Sequence, residues 1–293
     1  MQDPEAAMPS RRHIEPFTGV GLGLRNPHYD AVALGNPGVP FWEIAPENVL
    51  GEGGREHDTV CGILQRDPVL THGLGLSVGG FDPFDDEYLE QLAGFLAFTG
   101  SPWHSEHLCF SSVDGSTTHE LLPMPMTRAA VRHAVRRARE LQARLPVPLI
   151  LENITYYAEL GETELAEPEF LGEILDGADV GWLLDINNVY VNSINFGFDP
   201  QDWLLRVPLD RVVQMHIAGH ERWRGLTLDS HGATVIEPVL RLMQWVLPRI
   251  GRPVPVLLER DNDIPSLEAL LAERAAIQEA YDAVLTPAGT AHA

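Results

Sequence analysis

Along this chain, short apolar runs that end in polar residues alternate with stretches whose apolar positions recur every three to four residues. That alternation points to parallel βαβ units, because neighbouring parallel strands need a crossover between them, usually a helix. Eight runs fit strands: 17–24 (FTGVGLGL), 41–48 (FWEIAPEN), 69–77 (VLTHGLGLS), 103–111 (WHSEHLCFS), 148–153 (PLILEN), 181–188 (GWLLDINN), 212–219 (VVQMHIAG) and 255–261 (PVLLERD). The clearest helix spans 128–145, where Val131, Ala134, Val135, Ala138, Leu141 and Leu145 share a stripe and the arginines fall elsewhere. Further helices are expected at about 85–98, 168–177, 237–249 and 266–284. Eight units in this length predict an α/β fold of the (β/α)8 TIM-barrel type, with a doubly wound open sheet as the alternative. No linker or repeat divides the chain. One domain is expected over 17–284, with flexible tails at 1–16 and 285–293.

Composition narrows the function more than the fold. With 293 residues, 44% of them hydrophobic, the chain can bury one large core. Forty-two acidic residues face twenty basic ones, giving a net charge of -22. Such a surface repels phosphate backbones and anionic membranes, so no nucleic-acid or membrane partner is expected. All the basic residues are arginine, so lysine Schiff-base chemistry is excluded. Only Cys61 and Cys109 are present, too few for a disulfide framework, and no signal peptide or membrane span is visible. A cytoplasmic location follows as the expectation.

The candidate chemistry lies where the strands end. In a barrel those ends form the active-site mouth, and here they carry His72, Glu106, His107, Glu152, Asn153, Asp185, Asn187, Asn188, His216 and Glu259, with Asp229 and His231 in the loop after strand seven. Glu43 and Glu47 sit on strand two. One histidine in an apolar run is usually a hydrogen-bonded core residue, and a strand-end Asp or Asn is usually a cap or turn former. Several carboxylates converging from buried strands are different, because without counter-charge they repel one another. With lysine absent, arginine or metal must neutralise them. Mixed imidazole and carboxylate donors suit iron, zinc or manganese, and a bridging Glu would allow more than one ion. Asp229 and His231, two apart, point to the same side of an extended segment. The string HGLGLSVGG lacks the GxGxxG spacing and the following acid of a dinucleotide loop.

Taken in order from about residue 17 to 280, FWEIAPENVLG, THGLGLSVGG, SEHLCFS, LLPMPMT, LILENITYY, LLDINNVYVNSINFGFDP, MHIAGH, DSHGA and LLERDNDIPSLEAL resemble the family called domain of unknown function 692, the multinuclear non-heme iron-dependent oxidative enzymes. Relatives there act in methanobactin and thiaglutamate biosynthesis. The resemblance implies a xylose-isomerase-like barrel holding two or three mixed-valence irons, with dioxygen as co-substrate and oxidation of cysteine in a ribosomally made precursor peptide. It also implies a small partner protein that presents the peptide. Carried onto this chain, the ligand set is His72, His107, Glu152, Asp185, Asn188, His216, Asp229, His231 and Glu259, with Asn187 as the alternative to Asn188. Glu152, Asp185 and His231 are the implied catalytic centre, and Asn153, Asn187, His220 and Arg260 are expected to support the ligands.

The same pattern resembles the trinuclear zinc phosphodiesterases of the endonuclease IV type, which carry histidine where this chain has Asn188. A zinc- or manganese-dependent phosphodiesterase or sugar isomerase is therefore the second reading, and a metal-binding protein without turnover the third. Other conspicuous residues have plainer expectations. Cys109, Trp42, Trp103 and Trp182 are expected in packing, and His104, His119 and His133 are unassigned. Asp261 is expected to orient a ligand alongside Arg260. The stretch GETELAEPEF reads as a solvated loop leading into a helix, or as a docking face.

Overall fold

Most of the runs read as strands are predominantly apolar, as strands covered on both faces tend to be. In the computed structural model, which describes residues 17–51 and 53–285, all eight form and pair side by side: β1 (Val20–Gly23), β2 (Trp42–Ile44), β3 (Val69–Gly73), β4 (His104–His107), β5 (Leu149–Glu152), β6 (Gly181–Asp185), β7 (Val212–Ala218) and β8 (Val256–Glu259). Every pairing between neighbours is parallel, and β8 closes on β1 with Val20 opposite Val256 and Leu22 opposite Leu258. Closure excludes the open doubly wound sheet.

Nine helices of the described residues wrap the barrel: α1 (Tyr29–Ala33), α2 (Arg55–Arg66), α3 (Asp86–Thr99), α4 (Arg128–Arg144), α5 (Glu167–Ala178), α6 (Ile186–Phe196), α7 (Pro200–Leu204), α8 (Glu237–Ile250) and α9 (Leu267–Leu285). Local chemistry starts several of them. Asp85 accepts from the backbone N–H groups of Glu87 and Tyr88, Thr127 from Ala130, and Asp199 from Gln201 and Asp202. The tails expected at 1–16 and 285–293 lie outside the described residues, except Leu285, which is the last residue of α9. No helix of the described residues is long and apolar enough to cross a membrane.

Two apolar layers hold the site in place. The larger core fills the space between strands and helices and includes Trp42 and Trp182, while Phe41, Leu70 and Leu257 plug the barrel interior. Trp103 packs against the plug, so all three strand tryptophans serve packing. The plug explains Gly21 on β1, because a Cβ there would sit 2.3 Å from the Phe41 ring.

Three features differ from the sequence reading. The sixth strand was expected to reach residue 188, yet it stops at Asp185, whose carboxylate accepts from the Asn188 backbone N–H at 2.7 Å and caps α6. Two antiparallel hairpins, Phe110–Val113 with Ser116–Leu122 and Glu221–Trp223 with Leu226–Leu228, extend the loops after β4 and β7. The stretch GETELAEPEF is not wholly a solvated loop, because Glu167 accepts from Trp203 Nε1 at 3.0 Å and from the Tyr156 hydroxyl at 3.3 Å.

Candidate metal centre

Side chains alternate across a strand, so one parity of each barrel strand faces inward. Register then sets His107 opposite Glu152 and Asp185 opposite His216. The result is a chain of close donors. Glu152 Oε2 lies 3.2 Å from both His72 Nε2 and His107 Nε2, while its Oε1 lies 3.4 Å from His216 Nδ1. Glu259 Oε2 is 3.1 Å from His216 Nδ1 and 3.5 Å from His231 Nδ1. His231 Nε2 is 2.8 Å from Asp229 Oδ1. Glu152 thus reaches both halves of the cluster.

Three groupings within it have ligand atoms mutually within 4.8 Å: His72, His107 and Glu152; His72, His216 and Glu259; and Glu152, Asp185, His216 and Glu259. Glu152 Oε2 and Asp185 Oδ2 are buried without a hydrogen-bond partner, and the buried His216 Nδ1 and His231 Nε2 meet carboxylate oxygens. Buried polar atoms left unpaired are costly, and a cation is what this donor set would accept. The residues fit a centre of two or more ions.

Most of these imidazoles are held by their other nitrogen. His72 Nδ1 meets Ser105 Oγ at 2.8 Å, and His216 Nε2 meets Glu43 Oε2 at 3.1 Å. His231 Nδ1 meets Asp261 Oδ2 at 2.9 Å. Glu43 is itself fixed by Gln214 Nε2 at 2.5 Å, and Gln214 Oε1 accepts from Trp103 Nε1 at 2.8 Å. Such carboxylate–imidazole pairs set ring orientation and tautomer at metal sites. Ser105, Gln214 and the supporting role of Glu43 were not foreseen. For Glu43 the signal was parity, since it shares a face with the plug residue Phe41. Asp261 and Glu259 form a further close group with His231. Arg25 neutralises it, with Nη2 2.5 Å from Asp261 Oδ1 and 3.8 Å from Glu259 Oε1.

The two asparagines offered for the amide position have different partners. Asn188, named from the sequence, has Oδ1 accepting from the Thr155 hydroxyl at 2.7 Å and Nδ2 donating to the Asn153 carbonyl at 3.0 Å. Its partners lie in the strand–helix junction. Asn187 instead donates to Asp229 Oδ1 at 2.7 Å, and its Oδ1 contacts His220 Nδ1 at 2.8 Å. The reason is the early start of α6, which turns position 187 toward the post-β7 loop.

Asn153 holds the end of β6, accepting from Trp182 Nε1 and the Asp185 N–H and donating to the Asp185 carbonyl. Arg260 donates to the Gly232 carbonyl at 2.7 Å and pairs with Glu273 at 2.8 Å, bracing the loop that carries Asp229 and His231. His104 and Glu106 have the opposite parity and lie outside the barrel. Cys109 is buried, and burial pushes its thiol up.

Without a bound cation the cluster is electrostatically divided. Burial lowers the His72 pKa well below the usual imidazole range, and His107 and His216 add to the effect. Burial also opposes charge on His216, but Glu43, Glu259 and Glu152 outweigh it and hold the ring well above that range. His231 behaves likewise through Asp229 and Glu259. Asp185 is raised well above the carboxylate range by burial and by Glu152 and Asp229. Opposed shifts of this kind mark a cluster of closely interacting charged groups.

Comparison with known proteins agrees with this architecture. The chain is 41% identical to a UPF0276 protein of Caulobacter vibrioides over 261 residues, covering 89% of this chain and 93% of that protein. It is 40% identical to a UPF0276 protein of Acinetobacter baylyi over 263 residues, covering 89% and 91%. Among solved structures it resembles a xylose isomerase domain protein from Alicyclobacillus acidocaldarius (TM-score 0.56, 16% identity, 92% of this chain and 98% of that one). D-psicose 3-epimerase from Clostridium cellulolyticum superposes equally well (TM-score 0.56, 12% identity, 92% and 99%). At such low identity these two establish the xylose-isomerase-like barrel and nothing about substrate. A sequence family spans residues 19–282, nearly the whole barrel, and by that match the chain belongs to the RiPP precursor modification enzymes MbnB/TglH/ChrH.

Proposed function

We propose that this enzyme uses two or three iron ions and dioxygen to oxidise a cysteine in a ribosomally synthesised precursor peptide. The observation that carries the reading is the buried run of imidazoles and carboxylates, joined through Glu152, whose unpaired atoms converge inside a barrel of a peptide-modifying family. His72, His107, Glu152, Asp185, His216, Asp229, His231 and Glu259 hold the ions, with Asn187 in the amide position in place of Asn188. Iron supplies the redox chemistry and the activation of dioxygen. The chain's own residues do the rest. Glu152 links the two halves of the centre, and Ser105, Glu43 and Asp261 lock the imidazoles. The plug closes the barrel below the site. A small partner protein would present the peptide, and the reduced cysteines suit a cytoplasmic enzyme.

The test is anaerobic reconstitution with ferrous iron, followed by metal analysis and dioxygen uptake with a cysteine-containing peptide. The reading expects iron binding and peptide-dependent uptake, both lost in Glu152→Gln. A colourless, zinc-replete protein that is active without iron would refute it and favour the second reading, a zinc or manganese hydrolase or isomerase, to which the same donors are suited.

A further inference from the structure

The hairpin after β7 is joined at both ends to the metal centre. It begins directly after His220, whose Nδ1 contacts Asn187 Oδ1 at 2.8 Å. It ends directly before Asp229, whose carboxylate accepts from Asn187 and whose N–H donates to the Tyr157 hydroxyl at 3.0 Å. Between these points Glu221 pairs with Leu228, Arg222 with Thr227 and Trp223 with Leu226. Arg224 and Gly225 form the turn, both with positive φ (49° and 91°), the arrangement of a tight two-residue hairpin turn. Asn195 of α6 anchors one strand, exchanging two 2.9 Å hydrogen bonds with the Thr227 backbone. Thr227 is accordingly only 2% exposed.

The other side of the hairpin is open. Trp223 is 55% and Leu226 41% exposed, and they face each other across the strands. The Arg224 guanidinium lies 4.5 Å over the Trp223 ring. Arg224 forms no ion pair among the described residues. It sets a positive charge beside the exposed Trp–Leu pair on a chain of net charge -22, whereas Arg222, opposite Thr227, belongs to the other face. No strand flanks Glu221–Trp223 on its outer edge. A surface with an aromatic anchor, a guanidinium without a carboxylate partner and an open strand edge fits an extended acidic peptide.

We infer that this hairpin is the substrate-docking finger of the enzyme. It grips the segment of the precursor next to the reacting residue, with an apolar side chain on Trp223 and Leu226 and a carboxylate at Arg224. The inference rests on the peptide-substrate reading above and adds the recognition chemistry and its place. It concerns binding alone, so its test is independent of iron and turnover.

The probes are two fluorescein-labelled synthetic peptides with serine in place of the reacting cysteine. One carries an Asp-Leu-Asp flank and the other Asn-Leu-Asn. Anisotropy is read with the full-length protein as purified, with Trp223→Ala, and with Arg224→Glu. These side chains are exposed, and unchanged melting temperature and metal content would verify that the fold and centre persist. The wild type is expected to bind the acidic peptide about tenfold or more tightly than the amide peptide, and each variant to lose about tenfold or more on the acidic one. Equal binding of the two peptides, wild-type affinity in Trp223→Ala, or binding of neither peptide by the wild type would each overturn the inference. Iron binding and dioxygen uptake by the same preparations would remain to judge the redox reading separately.

Discussion

Replacing Gly219 by alanine should dislodge the loop that carries Asp229 and His231. Gly219 follows the last residue of β7, and a Cβ built on it would stand 1.9 Å from the Ala233 carbonyl oxygen and 2.7 Å from that of Thr234. Ordinary contact begins at 3.4 Å, so the chain must open by 3.4 − 1.9, about 1.5 Å. The obstacle is backbone, which cannot rotate away as a long side chain would. Retreat is also blocked behind the loop: Asn262 Nδ2 donates to the Ser230 carbonyl at 2.7 Å, Arg260 to that of Gly232 at 2.7 Å, and the Asp261 N–H to that of His231 at 3.2 Å. Metal–ligand distances tolerate only about 0.2 Å, so a shift of this size removes His231 and Asp229 from the centre. Overpacking of this kind costs about 1–3 kcal/mol. At about 2–4 °C per kcal/mol for a domain near this size, the metal-free protein should melt roughly 2–12 °C lower. Differential scanning calorimetry of chelator-treated protein and metal analysis after reconstitution provide the two readouts. Gly94→Ala is the control, because nothing lies within 4 Å of its Cβ on α3, and it should hold or raise stability. A Gly219→Ala protein with wild-type melting and full metal content would refute the steric argument.

Other perturbations test separate links. Asp261→Asn removes the charge beside His231 Nδ1 and should weaken metal retention about 10–100-fold in chelator competition, with secondary structure unchanged; unaltered retention would show that Asp261 is dispensable for orienting the ring. Glu106 is 1% exposed, and burial together with Glu47 pushes its carboxyl up to about 8 from 4.5. The folded state therefore keeps a proton that the unfolded chain has released, so stability falls as pH rises from about 4.5 through about 8, by up to about 1.4 kcal/mol per unit from this group. Glu106→Gln does not titrate, and urea unfolding of the metal-free variant should decline less steeply across that window; parallel pH curves would sink the assignment.

Much of the barrel could be read from the chain because parallel strands buried on both faces leave a strong local trace. PLILEN and PVLLERD are apolar until their last residues, and the polar ending marks the mouth because only there does the strand meet the site. That logic located Glu152 and Glu259. It erred at GWLLDINN because Asp185 has two roles. As the last residue of β6 it faces the centre, and as the N-cap of α6 it starts a helix three residues before the sequence reading ended the strand. A helix advances about 100° per residue where a strand alternates, so the misplaced boundary changes which way Asn187 and Asn188 face. The hairpin after β7 was missed for another reason. Its three-residue strands are too short for alternation to register, and its turn is written only in Arg224 and Gly225.

The supports of the imidazoles were hidden by sequence distance rather than by weak local signals. Glu43 lies 173 residues from His216, and Arg25 lies 236 from Asp261. Closing β8 against β1 brings both pairs together, so Glu259, at the end of the last strand, stands beside Arg25, two residues past the first. Periodicity reports which face a residue occupies and nothing about which distant residue shares it. Barrel closure supplies the missing information, because eight parallel strands in sequential order fix every inward-facing neighbour once parity is known. Glu43 shares parity with Phe41, and Gln214 with His216, on strands whose inward residues meet across the barrel interior. A sequence reading that assigns parity first and residue chemistry second would therefore have placed Glu43 beside His216 before any coordinates. The Asn187 position would still have escaped it, since that depends on where a helix begins.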